Sequence, residues 1–176
     1  MPASWCGLYG YKASFGRVPF VSRPNAFGAG NIFLFEGTLT RNVEDAAIGL
    51  NALSGYHPRD PFSLDTDYDF SRALGRSIKG WKIAYSPNFD VFPVDQEVKN
   101  VITNSAKAFE DMGAHVEKVD LGINRSQQEL SDSKLPVGMQ IIGKRYADED
   151  VLAASSAFER IKPWHDIYNL IQKETV

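Results

Sequence analysis

Four side chains close to the N-terminus have the chemistry for acyl transfer: Ser4, Cys6, Lys12 and Ser14. A hydroxyl or thiol attacks a carbonyl only when a neighbouring base takes its proton, and the one amine nearby in sequence is Lys12. A Ser–Lys pair is therefore the first catalytic arrangement to consider. Cys6 is the single cysteine, with no histidine near it in sequence. Free cysteine is among the most buried residue types, so a packed core position is the expectation for it. The residues by themselves assign no catalytic group, and these four are candidates only.

Other chemistries find less support. His57, His115 and His165 are scattered, with no two at metal-ligand spacing, so no metal site is expected. Asp60, Asp65, Asp67 and Asp69 lack the glycine and terminal glutamate of a calcium loop and read as a solvated connector. Gly28-Ala29-Gly30 is followed by no lysine and is not a phosphate loop, and no cofactor is called for. Nineteen basic against 22 acidic residues give a formal charge of −3 without a basic run, which argues against nucleic acid as a partner. The longest apolar runs, such as 32–35, fall short of the roughly 20 residues a membrane helix needs. One cysteine and no apolar leader point to a reducing, cytoplasmic setting.

The candidates sit in an unusual stretch. Residues 2–17, PASWCGLYGYKASFGR, place Gly7, Gly10 and Gly16 among Trp5, Tyr9, Tyr11 and Phe15. Glycines at that density demand backbone shapes other residues avoid, so a buried, tightly turned segment is expected. The run resembles the amidase signature family just after its nucleophile loop, where G-G-S-x-R-x-P-A-x-x-C-G leads into G-x-K-x-x-x-G-R-V. Pro2, Ala3, Cys6, Gly7, Gly10, Lys12, Gly16, Arg17 and Val18 match. The resemblance implies a hydrolase of carboxamide or ester bonds in which a lysine and a serine in a cis peptide activate the nucleophilic serine. Those three groups lie upstream of the P-A pair in the family, and Met1 stands directly before Pro2 here. The expectation is thus a chain lacking the triad and inactive in isolation. The alternative is a structural or regulatory interaction domain that completes a site with a partner chain.

Residues 37–47, GTLTRNVEDAA, resemble the family's G-P-L-x-R-[ST]-V-x-D-A-A, with Thr38 in place of proline. From there Val43, Ala46, Ala47, Leu50 and Leu53 recur at helical spacing, predicting a helix over 41–54 with Thr40 as N-cap and Gly55 as its left-handed end. Residues 56–69, rich in proline and aspartate, read as a surface connector. A strand over 81–85, a helix over 95–112 with Val98, Val101, Ile102, Ala106, Phe109 and Met112 inward, and a strand over 116–121 form a βαβ unit, which requires parallel strands. Residues 135–143, LPVGMQIIG, resemble a family strand motif, and a helix over 148–161 follows, its apolar side carrying Val151, Leu152, Ser155, Phe158 and Ile161. A further short amphipathic helix fits Trp164, Ile167, Tyr168 and Ile171.

In the family a long variable region separates the last two blocks; here residues 122–134 stand in its place, which marks them as a deletion junction. The expected architecture is one amidase-like α/β domain over residues 1–176, three-layered, with a short mixed sheet built from 81–85, 116–121 and 137–142 and helices packed against it. Surface left uncovered by the missing parts predicts a homo-oligomer or a complementing amidase-like chain as partner, and a small-molecule amide or ester as substrate if the site turns over.

Overall fold

A computed structural model describes residues 2–21, 23, 35–65, 67–88, 93–121 and 139–164. Along the chain run α1 (Pro2–Trp5), β1 (Tyr9–Gly10), β2 (Leu39–Thr40), α2 (Val43–Leu53), a 3₁₀ turn (Phe70–Ala73), β3 (Lys82–Tyr85), α3 (Gln96–Asp111), β4 (His115–Lys118) and α4 (Asp148–Ile161). The expected α/β class holds, with the three long helices where the apolar periodicity puts them. The described strands form two separate pairs. β1 and β2 are antiparallel, Tyr9 opposite Thr40, while β3 and β4 are parallel, Lys82 opposite His115 through Tyr85 opposite Lys118.

Helix α2 starts two residues later than Thr40 would place it. Thr40 is consumed by pairing with Tyr9, and its hydroxyl donates to the Asn42 carbonyl at 2.7 Å. Asn42 is the cap: its side-chain oxygen accepts from Asp45 N–H at 2.6 Å, satisfying a donor the first turn cannot. Val43, Ala46, Ala47 and Leu50 are buried as expected, whereas Leu53 is 45% exposed, since the helix leaves the core before its last turn. Gly55 closes it at φ +129°.

The βαβ unit is present. Asp95 caps α3 by accepting from Glu97 N–H at 2.8 Å, and Gly113, at φ +83°, ends it. The helix docks unevenly, however. Ala108 and Phe109 are its only fully buried residues, and Val101, expected inward, is 51% exposed because only the C-terminal end of α3 reaches the core.

The segment expected to be the third strand is not laddered over its described part. Residues 139–142 alternate correctly, Met139 and Ile141 packing on the core and Gln140 and Ile142 outward, yet no described residue pairs with their backbone. Residues 137–138 lie outside the described residues, as does the tail helix expected beyond Trp164.

Helix α4 joins two buried clusters. Leu152 and Ala153 belong to one, with Tyr11, Leu50 and Phe70; Ala154 and Ala157 belong to the other, with Ile78 and Phe109. Alanines and serines along 153–157 let the neighbouring elements approach α4 closely, while Phe158 stacks on Phe109 with ring centroids 5.4 Å apart. Ile161, expected on the apolar side, is 40% exposed where the helix runs out. A buried leucine cannot be trimmed without leaving a void. Leu152→Ala should therefore lower unfolding free energy by about 2–5 kcal/mol, while Val101→Ala should stay within about 0.5 kcal/mol; denaturant titration followed by circular dichroism measures both.

Candidate functional site

The glycine-rich segment is held from across the fold by one carboxylate. Asp148, the first residue of α4 and 4% exposed, accepts from Ser14 N–H at 2.8 Å and from the Tyr11 hydroxyl at 3.2 Å on Oδ1, and from Arg17 Nε at 3.0 Å on Oδ2. Arg17 also donates to the Tyr146 carbonyl at 3.2 Å, and Tyr146 N–H donates to the Ser14 hydroxyl oxygen at 3.0 Å. A buried carboxylate needs such partners, because unpaired it would forfeit its hydration for nothing. The knot bends the chain at Tyr146 into φ +67°, a conformation uncommon for a bulky residue and tolerated where surrounding contacts over-determine it. On the opposite side Gly16, at φ +86°, lies so near the Phe62 carbonyl that a side chain there would collide with it.

The two tyrosines of the segment are harder to ionise than free phenols. Burial, above all, pushes Tyr9 up to about 12, the Ser155 hydroxyl opposing and the Glu159 charge assisting. Tyr11 is driven further in the same direction by burial and then by the Asp148 charge. Both are hydrogen-bond donors at neutral pH, Tyr9 to Ser155 at 3.0 Å and Tyr11 to Asp148.

The four candidates do not converge. Ser4 lies in α1, and its carbonyl accepts from Gly7 N–H. Cys6 is exposed, contrary to the core position expected: α1 contributes no buried residue, and full burial begins only at Tyr11. Lys12 is exposed, with Nζ 3.3 Å from the centroid of the Phe35 ring. Partial desolvation lowers the pKa of its ammonium, against the pull of Asp148. The Ser14 hydroxyl meets Tyr146 N–H. Amine and hydroxyl thus have different partners.

Among the remaining sequence candidates, Asp60 departs from the solvated-connector reading. It is 4% exposed, accepting from Phe20 N–H and Phe62 N–H, both at 2.9 Å, and so ties the connector to the stretch that follows the glycine-rich segment. Asp65, Asp67 and Asp69 are exposed. The Asp69 carboxyl is held below its usual range by the Asn51 amide and then the Ser71 N–H. His57 Nδ1 accepts from Arg59 N–H, His115 is exposed on β4, and His165 and residues 28–30 lie outside the described residues. A recess of about 10 Å³, room for roughly one water, is bordered by Ser14, Phe15, Phe35 and Asp60. No described helix is long and apolar enough to cross a membrane.

Sequence reasoning places Tyr9 and Tyr11 only among the aromatics of the segment and Asp148 only at a helix start, and it does not single out Tyr146. No local signal marks Asp148 as the partner of residues more than 130 positions away; an acid at the start of a helix is ordinary.

Comparison with known proteins supplies the frame. A family model described as Amidase matches residues 1–130. The A subunit of glutamyl-tRNA(Gln) amidotransferase from Persephonella marina is 38% identical over 121 residues, and that from Lacticaseibacillus casei 41% over the same length. Each alignment covers 68% of this chain and 24% of the relative, so the chain spans about a quarter of the length of the curated relatives it matches. Among solved structures, a bacterial aryl acylamidase of the amidase signature enzymes superposes with a TM-score of 0.79 at 27% identity, over 96% of this chain and 61% of that one. The glutamyl-tRNA(Gln) amidotransferase A subunit of Thermotoga maritima gives 0.55 at 29%, over 67% and 25%.

Two measurements check this geometry. The stability that the protonated phenols contribute is whole below pH 10 and is lost as pH rises from 10 towards about 12, where Tyr9 ionises in the folded chain; Tm should fall across that window, and Tyr9→Phe should flatten the fall. Cys6 should react with a maleimide in the folded protein nearly as fast as in denaturant; protection by orders of magnitude would restore the buried reading.

Proposed function

The chain belongs to the amidase family, and from that premise we propose that it serves carboxamide or ester hydrolysis as scaffold, with no turnover from its own Ser4, Cys6, Lys12 or Ser14. The observation that carries this reading is the partition of an amine and a hydroxyl two residues apart: Lys12 Nζ lies on the Phe35 ring, and the Ser14 hydroxyl holds Tyr146 N–H. A nucleophile needs a base within hydrogen-bond reach and an oxyanion site facing the same carbonyl. In a complete amidase site, the lysine, the cis serine and the nucleophilic serine supply those roles, and on this reading another stretch of polypeptide provides them. Relatives that bear the name of one subunit of an amidotransferase support a setting in which such a chain works beside others.

A second reading, an interaction domain without turnover of any kind, draws on a different observation. Trp5 is 72% exposed and Ile142 75%, and large apolar side chains left in water favour association, with a second copy or with a complementing amidase-like chain. We further propose a single domain whose junction lies near 122–134, which the end of the family match at residue 130 supports, and a cytoplasmic setting, in keeping with a free, exposed cysteine.

Purified protein is expected to hydrolyse simple amides and p-nitrophenyl esters at the buffer rate, with Ser4→Ala, Cys6→Ala and Ser14→Ala variants indistinguishable from it. Addition of an amidase chain carrying the lysine and both serines should raise the rate if the scaffold is completed. Turnover by the chain alone that any one of the three substitutions abolishes would overturn the proposal. Sedimentation at tens of micromolar should give a species heavier than the 19.6 kDa chain; a clean monomer would remove the association reading while leaving the scaffold reading intact.

A further inference from the structure

Asp60 is a buried anion whose charge no side chain among the described residues offsets. It is 4% exposed, and its oxygens accept from neutral donors, Phe62 N–H on Oδ1 and Phe20 N–H on Oδ2, both at 2.9 Å. The ion pairs among the described residues are Arg17–Asp148, Arg72–Asp69 and Arg76–Asp150. Arg23, the one basic residue in the sequence between Phe20 and Phe35, is exposed and belongs to none of them. A carboxylate held by two N–H groups keeps lone pairs to spare and a charge that burial penalises, and both favour a cation.

The recess beside Asp60 has the dimensions for a small one. Its volume of about 10 Å³ admits one particle the size of a water molecule. Besides Asp60 and Ser14 it is bordered by Phe15 and Phe35, whose rings meet edge to face with centroids 6.1 Å apart, and by the exposed carboxylate residue Glu36. The Phe35 ring already attracts a cation, since Lys12 Nζ lies 3.3 Å from its centroid. Calcium and magnesium do not suit such a border, because each requires about six oxygens or more and magnesium sheds its water reluctantly. Aromatic carbon in place of oxygen suits the weakly hydrated ammonium ion better than sodium.

We propose that this recess binds one ammonium-sized monovalent cation, with Asp60 as its counter-ion and Phe15 and Phe35 as aromatic walls. The bound ion joins the connector at Asp60 to the glycine-rich segment at Ser14 and Phe15 and stabilises that junction. Binding requires neither a nucleophile nor a substrate, so it is independent of the scaffold reading.

The test follows urea unfolding of the full chain at constant chloride and ionic strength, with ammonium chloride replacing tetramethylammonium chloride, whose cation is too large for the recess. A ligand bound by the folded chain alone lowers the unfolding constant saturably, about tenfold at ten times Kd, and ammonium should do so. Sodium chloride should give a smaller shift. Asp60→Asn keeps a side-chain acceptor for a backbone N–H but removes the charge, and it should abolish the response to ammonium. Because Asp60→Asn can fail to fold, the unaltered chain is also titrated with nitrogen-15 ammonium, whose protons should show nuclear Overhauser effects to the rings of Phe15 and Phe35. A response to ammonium no greater than to sodium or tetramethylammonium, a response that survives in folded Asp60→Asn, or no such effect on either ring would assign the recess to water alone and overturn the proposal.

Discussion

One buried carboxylate constrains more of this structure than any other group. Asp148 gives up its hydration at the start of α4, and the cost is met by donors from a single stretch of chain: a guanidinium, a backbone N–H and a phenol, from Arg17, Ser14 and Tyr11. Each of these bonds ties the segment from Tyr9 to Arg17 to the buried carboxylate, so the segment has little freedom in where it lies. Its consequences spread outward. Ala147 before the helix offers no side-chain cap, Tyr146 is forced to positive φ, and Gly16 is pressed against the connector at Phe62. The aspartate would otherwise suit the positive end of its own helix; here its oxygens are turned to a distant partner instead.

The second constraint is the small-residue face of α4. Two strand pairs of two and four residues bury little, and no residue of β3 or β4 is fully buried. Among the described residues, the core therefore owes little to these strands. It is organised instead around a helix thin enough to be approached from two sides, with Leu152 and Ala153 facing one cluster and Ala154 and Ala157 the other. Hydrogen bonds from Tyr9 to Ser155 and from Val43 N–H to Glu159 reinforce the same contact. Packing and polar anchoring thus agree on where α4 belongs, which is the condition for a single well-defined arrangement.

Periodicity alone makes the helices legible, because an apolar stripe at spacings of three and four reports burial directly. What it does not report is how far along each helix the core extends. Val101 and Leu53 sit on the correct stripes and still face water, since the neighbouring elements stop short of them. The cap of α2 escapes sequence reasoning for a related reason: both Thr40 and Asn42 are good caps, and only the pairing of β2 with β1 decides between them. Cys6 and Asp60 exchange their expected environments, the thiol outside and the carboxylate inside. Residue-type averages yield to tertiary context whenever a polar group has partners waiting and an apolar one does not.

Family membership and site chemistry rest on different features of the chain. Backbone shape is specified by many residues at once, so the glycine-rich segment, α2 and the βαβ unit all carry the family's pattern. Chemistry, by contrast, depends on where a few side-chain atoms point. In this chain the amine of Lys12 is drawn to an aromatic face, the hydroxyl of Ser14 to a strained amide, and the phenols of Tyr9 and Tyr11 are kept protonated by burial. The hydroxyl and the phenols stabilise the junction between α4 and the segment. The contacts that satisfy the hydroxyl and the phenols are the same contacts that hold the segment against α4 and the residue before it, so local rigidity and side-chain placement have one physical origin.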